Sequence, residues 1–109
     1  MPKFISVVKF VVKEGEVENF TASMKKFVNP DGVIFRKVIK TGDRSYCSVV
    51  EWIDEDSLAK ARQQMIAYLD TVRDLLEEIT PELGVTDPAS GPVIICLLYT
   101  SDAADEAEC

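Results

Sequence analysis

The stretch "VIFRKVIKTGDRSYCSVVEWIDEDSLAKA" (residues 33–61) decides how the chain folds. "VIFRKVIK" and "SYCSVVEW" are runs rich in β-branched and aromatic residues, separated by the short connection "TGDR". Two such runs joined by a few residues that include glycine form an antiparallel hairpin. After Trp52 the apolar spacing changes from two to three and four. Leu58, Ala61, Met65, Leu69, Val72, Leu76 and Ile79 lay one apolar stripe along a helix of about six turns, ended by Pro81 and Gly84. Asp54 or Asp56 can cap its start, and the acids there suit the positive end of the helix dipole.

Upstream, "KFISVVKFVVK" (residues 3–13) reads as a first strand, broken at Gly15. Val17, Phe20, Met24 and Phe27 give a first helix with one apolar face, stopped by "NPDG". Downstream, "PELGVTDPASGP" reads as a loop leading to a last strand that begins at Val93. The order is βαββαβ, the ferredoxin-like arrangement: an α+β fold with an antiparallel sheet and two helices on one face.

In such a sheet the face away from the helices can meet water, so its strands should alternate apolar and polar. These do not. Phe4, Val8, Phe10 and Val12 oppose Ile5, Val7 and Val11; Val33, Phe35 and Ile39 oppose Ile34 and Val38; Cys47 and Val49 oppose Tyr46, Val50 and Trp52. Each large side chain left exposed forgoes roughly 1.5–3 kcal/mol. A homodimer whose two sheets pack face to face, a dimeric α/β barrel, buries both faces. Arg36, amid apolar neighbours, is then placed to cross-pair at the dimer interface.

The 109 residues suffice for one core, and 47% hydrophobic with 28% charged residues is ordinary for a globular domain. No apolar run nears the length of about 20 residues that crosses a bilayer, and the N-terminus lacks the pattern of a signal peptide. The expectation is a cytoplasmic protein without a membrane partner. Of the net charge of −7, four acids lie after Ile95, so residues 1–95 carry 12 basic and 15 acidic groups. That balance offers no clustered basic face for a nucleic-acid backbone. The chain has no histidine, which excludes a Ser–His–Asp triad and a His-ligated haem. Cysteines at 47, 96 and 109 match no metal-ligand spacing, and Cys47 reads as a small buried hydrophobe. Neither a metal nor a cofactor is expected.

The strings "FISVVKFVVKEGEVENF", "TGDRSYCSVVEWIDEDSLAKAR", "MIAYLDTVRDLLEEI" and "LGVTDPASGPV" together resemble the antibiotic biosynthesis monooxygenase domain family, across residues 3–95. Most characteristic is the strand ending Glu51-Trp52, followed by an acidic turn and "SLAKA". The resemblance implies a dimeric α/β barrel with a pocket between sheet and helices in each subunit. It also implies cofactor-independent oxygenation of a small phenolic or quinol-type molecule, a substrate that activates O2 itself once deprotonated. The haem-degrading members need an axial histidine, which this chain lacks. By this resemblance the candidate catalytic residues are Trp52, Tyr68, Arg62 and Arg73.

Each candidate also has a structural reading. Trp52 can simply fill the sheet–helix junction. Tyr68, one position before Leu69, can be core edge or pocket wall. Arg62 and Arg73 can be solvated partners of nearby acids, Arg73 lying three residues after Asp70 and four before Glu77. The alternative to an enzyme is therefore a non-catalytic homodimeric module that binds a small apolar or aromatic ligand or plays a structural part in support of another protein.

The C-terminal string "CLLYTSDAADEAEC" (residues 96–109) follows "VII" with no stop signal, unlike every earlier element. It resembles the in-frame translation of a sequencing adapter, as a read-through in an environmental DNA assembly would leave. The expectation is a single domain over residues 1–99, with native coding to about Ile95. Residues 96–99 then extend the last strand by chance, and residues 100–109 form a non-native, poorly ordered tail.

Overall fold

The computed structural model of the chain describes residues 2–97. Its elements run β1 (Phe4–Val11), α1 (Val17–Lys26), β2 (Val33–Lys40), β3 (Ser45–Trp52), α2 (Glu55–Val72) and β4 (Asp87–Pro92). The strands form one antiparallel sheet in the order β2-β3-β1-β4, the ferredoxin-like topology. The two helices lie on one face. No described helix is long and apolar enough to cross a membrane.

Side chains alternate across the sheet, so the pairing register fixes which of them meet the helices. Phe4, Ser6, Val8 and Phe10 of β1 stand opposite Trp52, Val50, Ser48 and Tyr46 of β3 on the helix face. The apolar members gather at the two ends of this face. One cluster joins Phe4, Val50 and Trp52 to Leu58 and Ala61 of α2. The other joins Phe10 and Val12 to Phe20 of α1 and to Val72 and Leu76, with the Phe10 and Phe20 rings 4.9 Å apart. Between the clusters the floor is narrow-chained: Ser6, Ser48 and Ser90.

Four expectations are corrected here. The alternation read for β2 fails because the ladder shifts register between Val33 and Phe35. With that bulge Val33, Arg36 and Val38 share the helix face, while Phe35, Lys37 and Ile39 share the other. Arg36 therefore does not sit at the outer face. Its guanidinium caps the end of α1, donating to Asn29 Oδ1 at 2.8 Å and to the Met24 carbonyl at 3.1 Å, and lies over the Phe27 ring. The last carbonyls of a helix lack the regular helical donor, and the Met24 carbonyl accepts only a 3.3 Å bond from Phe27 N besides, so a cation there supplies a donor where they are short.

The long helix stops at Val72, seven residues before Ile79, and a 3₁₀ turn follows at Arg73–Leu75. The backbone then runs antiparallel to the end of β1: Lys13 N donates to Leu75 O, Glu77 N donates to Val11 O, and Val12 faces Leu76 in a bridge. Leu76 still reaches the same core cluster, by an extended rather than a helical route. Arg44 closes this corner, bonding the Val12 carbonyl at 2.9 Å and the Glu77 carboxylate.

The last strand is "DPASGP", not the apolar run after it. Val93 N still donates to Lys3 O at 2.8 Å, but Ile94 is 86% exposed and Leu97 87%. Because Val93 points its N–H at β1, the alternating positions 88, 90 and 92 point theirs away. Pro88 and Pro92 thus occupy places where the ladder needs no donor. Leu98, Tyr99 and the tail of residues 100–109 lie outside the described residues.

The start of α2 is seated by Asp54, whose carboxylate accepts from the backbone N–H and the hydroxyl of Ser57, both at 2.8 Å. Those bonds, the backbone one first, hold its carboxyl below the usual carboxylate range. Gly32 packs against this cap. It has φ +91°, its carbonyl accepts from Ile53 N at 2.9 Å, and an added Cβ would lie 2.5 Å from Ser57 Cβ. Gly32→Ala should therefore combine left-handed strain with a backbone-seated clash and cost about 2–4 kcal/mol in chemical denaturation. A loss below 0.5 kcal/mol would show that the turn refits freely.

Candidate functional site

A cavity of about 540 Å³ opens between the helices and the sheet. Its position follows from the strand sequences. Where β1, β3 and β4 place Ser6, Ser48 and Ser90, no large side chain rises to meet α2, and the two core clusters close only the ends. The walls are apolar, among them Phe10, Phe27, Met65, Ile66 and Leu69. A concave apolar site with a few polar groups is the usual form of a small-molecule pocket.

Trp52, Tyr68 and Arg62 all line this cavity. Trp52 is 1% exposed, packs in the first core cluster, and donates its indole N–H to Ser6 Oγ at 3.0 Å. Tyr68 is half-buried. Its hydroxyl donates to Met24 Sδ at 3.0 Å and meets Ser23 Oγ at 3.3 Å, and its ring lies 4.5 Å from that of Phe27. A thioether is a weak acceptor, so a ligand oxygen would compete well for that proton. Arg62 is exposed at the rim, with no hydrogen bond or ion pair among the described residues. Arg73 lies apart from these three. It is exposed on the 3₁₀ turn, bonded to Asp70 at 3.0 Å, and does not line the cavity.

Two cavity residues escaped the sequence reading. Ser6 is the one buried polar side chain among the described residues, and its signal was present: a hydroxyl interrupting the face Phe4–Val8–Phe10–Val12. Arg36 lines the cavity only because the bulge in β2 turns it inward. With Arg62 it makes two cations against no carboxylate among the described lining residues, although acids outnumber bases in the chain. Among the described residues no cluster of His, Cys, Asp and Glu could hold a metal ion. Cys47 is buried with a free thiol.

Among the described residues, no element covers the other sheet face. Ile5, Val7 and Val11 of β1, Phe35 and Ile39 of β2 and Val49 of β3 share it by register, and Ile39 is 50% exposed.

No protein-family profile matches the chain, and no curated protein matches it. Among solved structures it is similar to a mutant of SnoaB, a cofactor-independent oxygenase from Streptomyces nogalater, at TM-score 0.67 and 16% identity over 91% of this chain and 100% of that one. A candidate antibiotic biosynthesis monooxygenase from Bordetella bronchiseptica matches at TM-score 0.69 and 14% identity, covering 87% and 100% of the two chains. A dimeric ferredoxin-like protein from an uncultured marine organism matches at TM-score 0.69 and 14% identity, covering 92% and 95%. At these identities the likeness establishes the fold.

Proposed function

We propose that the chain is a cofactor-independent, monooxygenase-like enzyme acting on a small phenolic or quinol-type molecule. The observation that carries this is the cavity itself: an apolar space under α2 that brings Trp52, Tyr68 and Arg62 to one lining. The oxygenase activity of a fold neighbour supports the choice of chemistry. In this reading the indole of Trp52 and the apolar walls hold a flat ring. Tyr68 donates to an oxygen of the ligand, and Arg62 stabilises the anion formed when the ligand loses a proton. An anthrone-type substrate would lose two hydrogens and gain one oxygen atom from O2, the second leaving as water. The substrate supplies all the electrons. Arg73, tied to Asp70 outside the lining, has no part in it.

The same reading pairs two copies through the uncovered sheet face, as a face-to-face homodimer. The apolar register of that face and the dimeric fold neighbour support it.

One observation favours a second reading, a non-catalytic homodimeric module that binds such a molecule. Among the described residues the lining contains no carboxylate, and the chain has no histidine, so none of these side chains serves as a base near neutral pH. Oxygen-electrode measurements with a panel of hydroquinones and anthrones separate the two. Enzymatic O2 uptake is expected, rising with pH as the substrate ionises, and Trp52→Phe and Tyr68→Phe should each lower kcat/KM about tenfold or more. Saturable binding without O2 uptake would establish the module instead. Turnover unchanged in both variants would remove these residues from the site.

A further inference from the structure

The contact between Trp52 and Ser6 has a direction. An indole Nε1 is a donor only, so across the 3.0 Å separation the tryptophan donates and Ser6 Oγ accepts. The serine's own proton is left to go elsewhere. Ser6 is 6% exposed, and among the described residues no carbonyl, hydroxyl or carboxylate accepts from it. The space it lines is the cavity. A buried hydroxyl with one lone pair committed and its proton uncommitted is a donor facing the site, and accepting from the indole strengthens it as one.

We propose that Ser6 is the ligand anchor of this cavity: held by Trp52, it donates its hydroxyl proton to an acceptor oxygen of a planar aromatic ligand, a ketone or phenolate oxygen. This rests on the reading of the cavity as a site for an aromatic small molecule, and adds the group by which the molecule is recognised. The cavity's other polar groups are less well placed for that task. The Tyr68 hydroxyl must first leave Met24 Sδ, Arg36 is committed to Asn29 and the Met24 carbonyl, Arg62 stands at the rim, Ser48 and Thr86 are only partly buried, and Ser90 is exposed. A floor built to hydrogen-bond an oxygen discriminates against an analogue without one, because the buried donor is then left unpaired.

Anthrone and 9,10-dihydroanthracene share a tricyclic frame and differ at one ring position, a carbonyl in the first and a methylene in the second. Their binding under nitrogen is followed by quenching of Trp52, the single tryptophan of the chain. Wild-type protein is expected to favour anthrone roughly tenfold, the ratio to fall near one in Ser6→Ala, and Ser6→Thr, which keeps a hydroxyl, to recover most of it. The ratio is the readout because loosened packing weakens both ligands alike. A wild-type ratio near one, or a ratio that survives in Ser6→Ala, overturns the proposal. Should Ser6→Ala not fold, Ser6→Cys replaces it, and a cysteine ratio as large as wild type overturns the proposal too, since a thiol donates weakly. Oxygen uptake separates this inference from the reading beneath it. Selective binding without O2 consumption keeps the anchor and removes the oxygenase, whereas O2 consumption at a ratio of one removes the anchor alone. If neither ligand binds, both fall.

Discussion

Trp52→Ala is expected to destabilise the domain by about 3–5 kcal/mol, measured by urea denaturation followed by circular dichroism. Three losses coincide at this position. The ring is almost wholly buried against Phe4, Val50, Leu58 and Ala61, so its apolar area returns to water on truncation. The space it vacates adjoins a cavity of about 540 Å³, and residues that already leave that volume open will not collapse to fill more. Ser6 also loses its buried partner. Small domains are commonly stable by only about 5–15 kcal/mol, so the variant approaches the limit of folding. Trp52→Phe keeps most of the area and should cost less than half as much. A loss under 1 kcal/mol in Trp52→Ala would mean that the tryptophan contributes little to the core and exists chiefly for the ligand.

Val7→Lys tests the proposed dimer and should raise its dissociation constant at least about 100-fold, read by sedimentation equilibrium. Val7 lies on the uncovered face, opposite Val49 of β3 and Ala89 of β4. In a twofold interface each substitution appears twice, so two ammonium groups would be brought into one apolar contact. The monomer should tolerate the change, because the side chain is only half-buried within a single chain. A variant that dimerises as tightly as wild type, or a wild type that is monomeric at micromolar concentration, would place the interface elsewhere or remove it.

Much of this architecture is legible in the residues. The hairpin of β2 and β3, a helix capped by Asp54 or Asp56 and the βαββαβ order all follow from periodicity and turn residues, and the strand order agrees with them. The errors have physical sources. A bulge inserts one residue into a period of two, and nothing in "VIFRKVIK" marks where the frame slips, so strict alternation puts Arg36 on the wrong face. The apolar stripe runs on through Leu76 although the helix does not, because an extended segment can deliver the same side chain to the same cluster. The last strand carries no hydrophobic alternation at all. It is held to β1 by backbone bonds, and those leave no trace in composition. Of the candidate site, residue type and likeness single out Trp52, Tyr68 and Arg62, and these three line one cavity, while their roles there are a proposal. Ser6 is hard to single out from sequence because a small hydroxyl inside an apolar strand looks like an interruption until its partner is known.

The prolines of β4 bear on how this sheet can grow. Positions 88, 90 and 92 face outward from its free edge, and only Ser90 among them has an N–H to offer. A strand arriving from another molecule would find one donor where a regular edge presents three. Edge-to-edge addition has no natural end and leads toward fibres, whereas contact through a sheet face is complete at two copies. An edge with most of its donors removed discourages the open-ended kind in a chain that also leaves an apolar sheet face open.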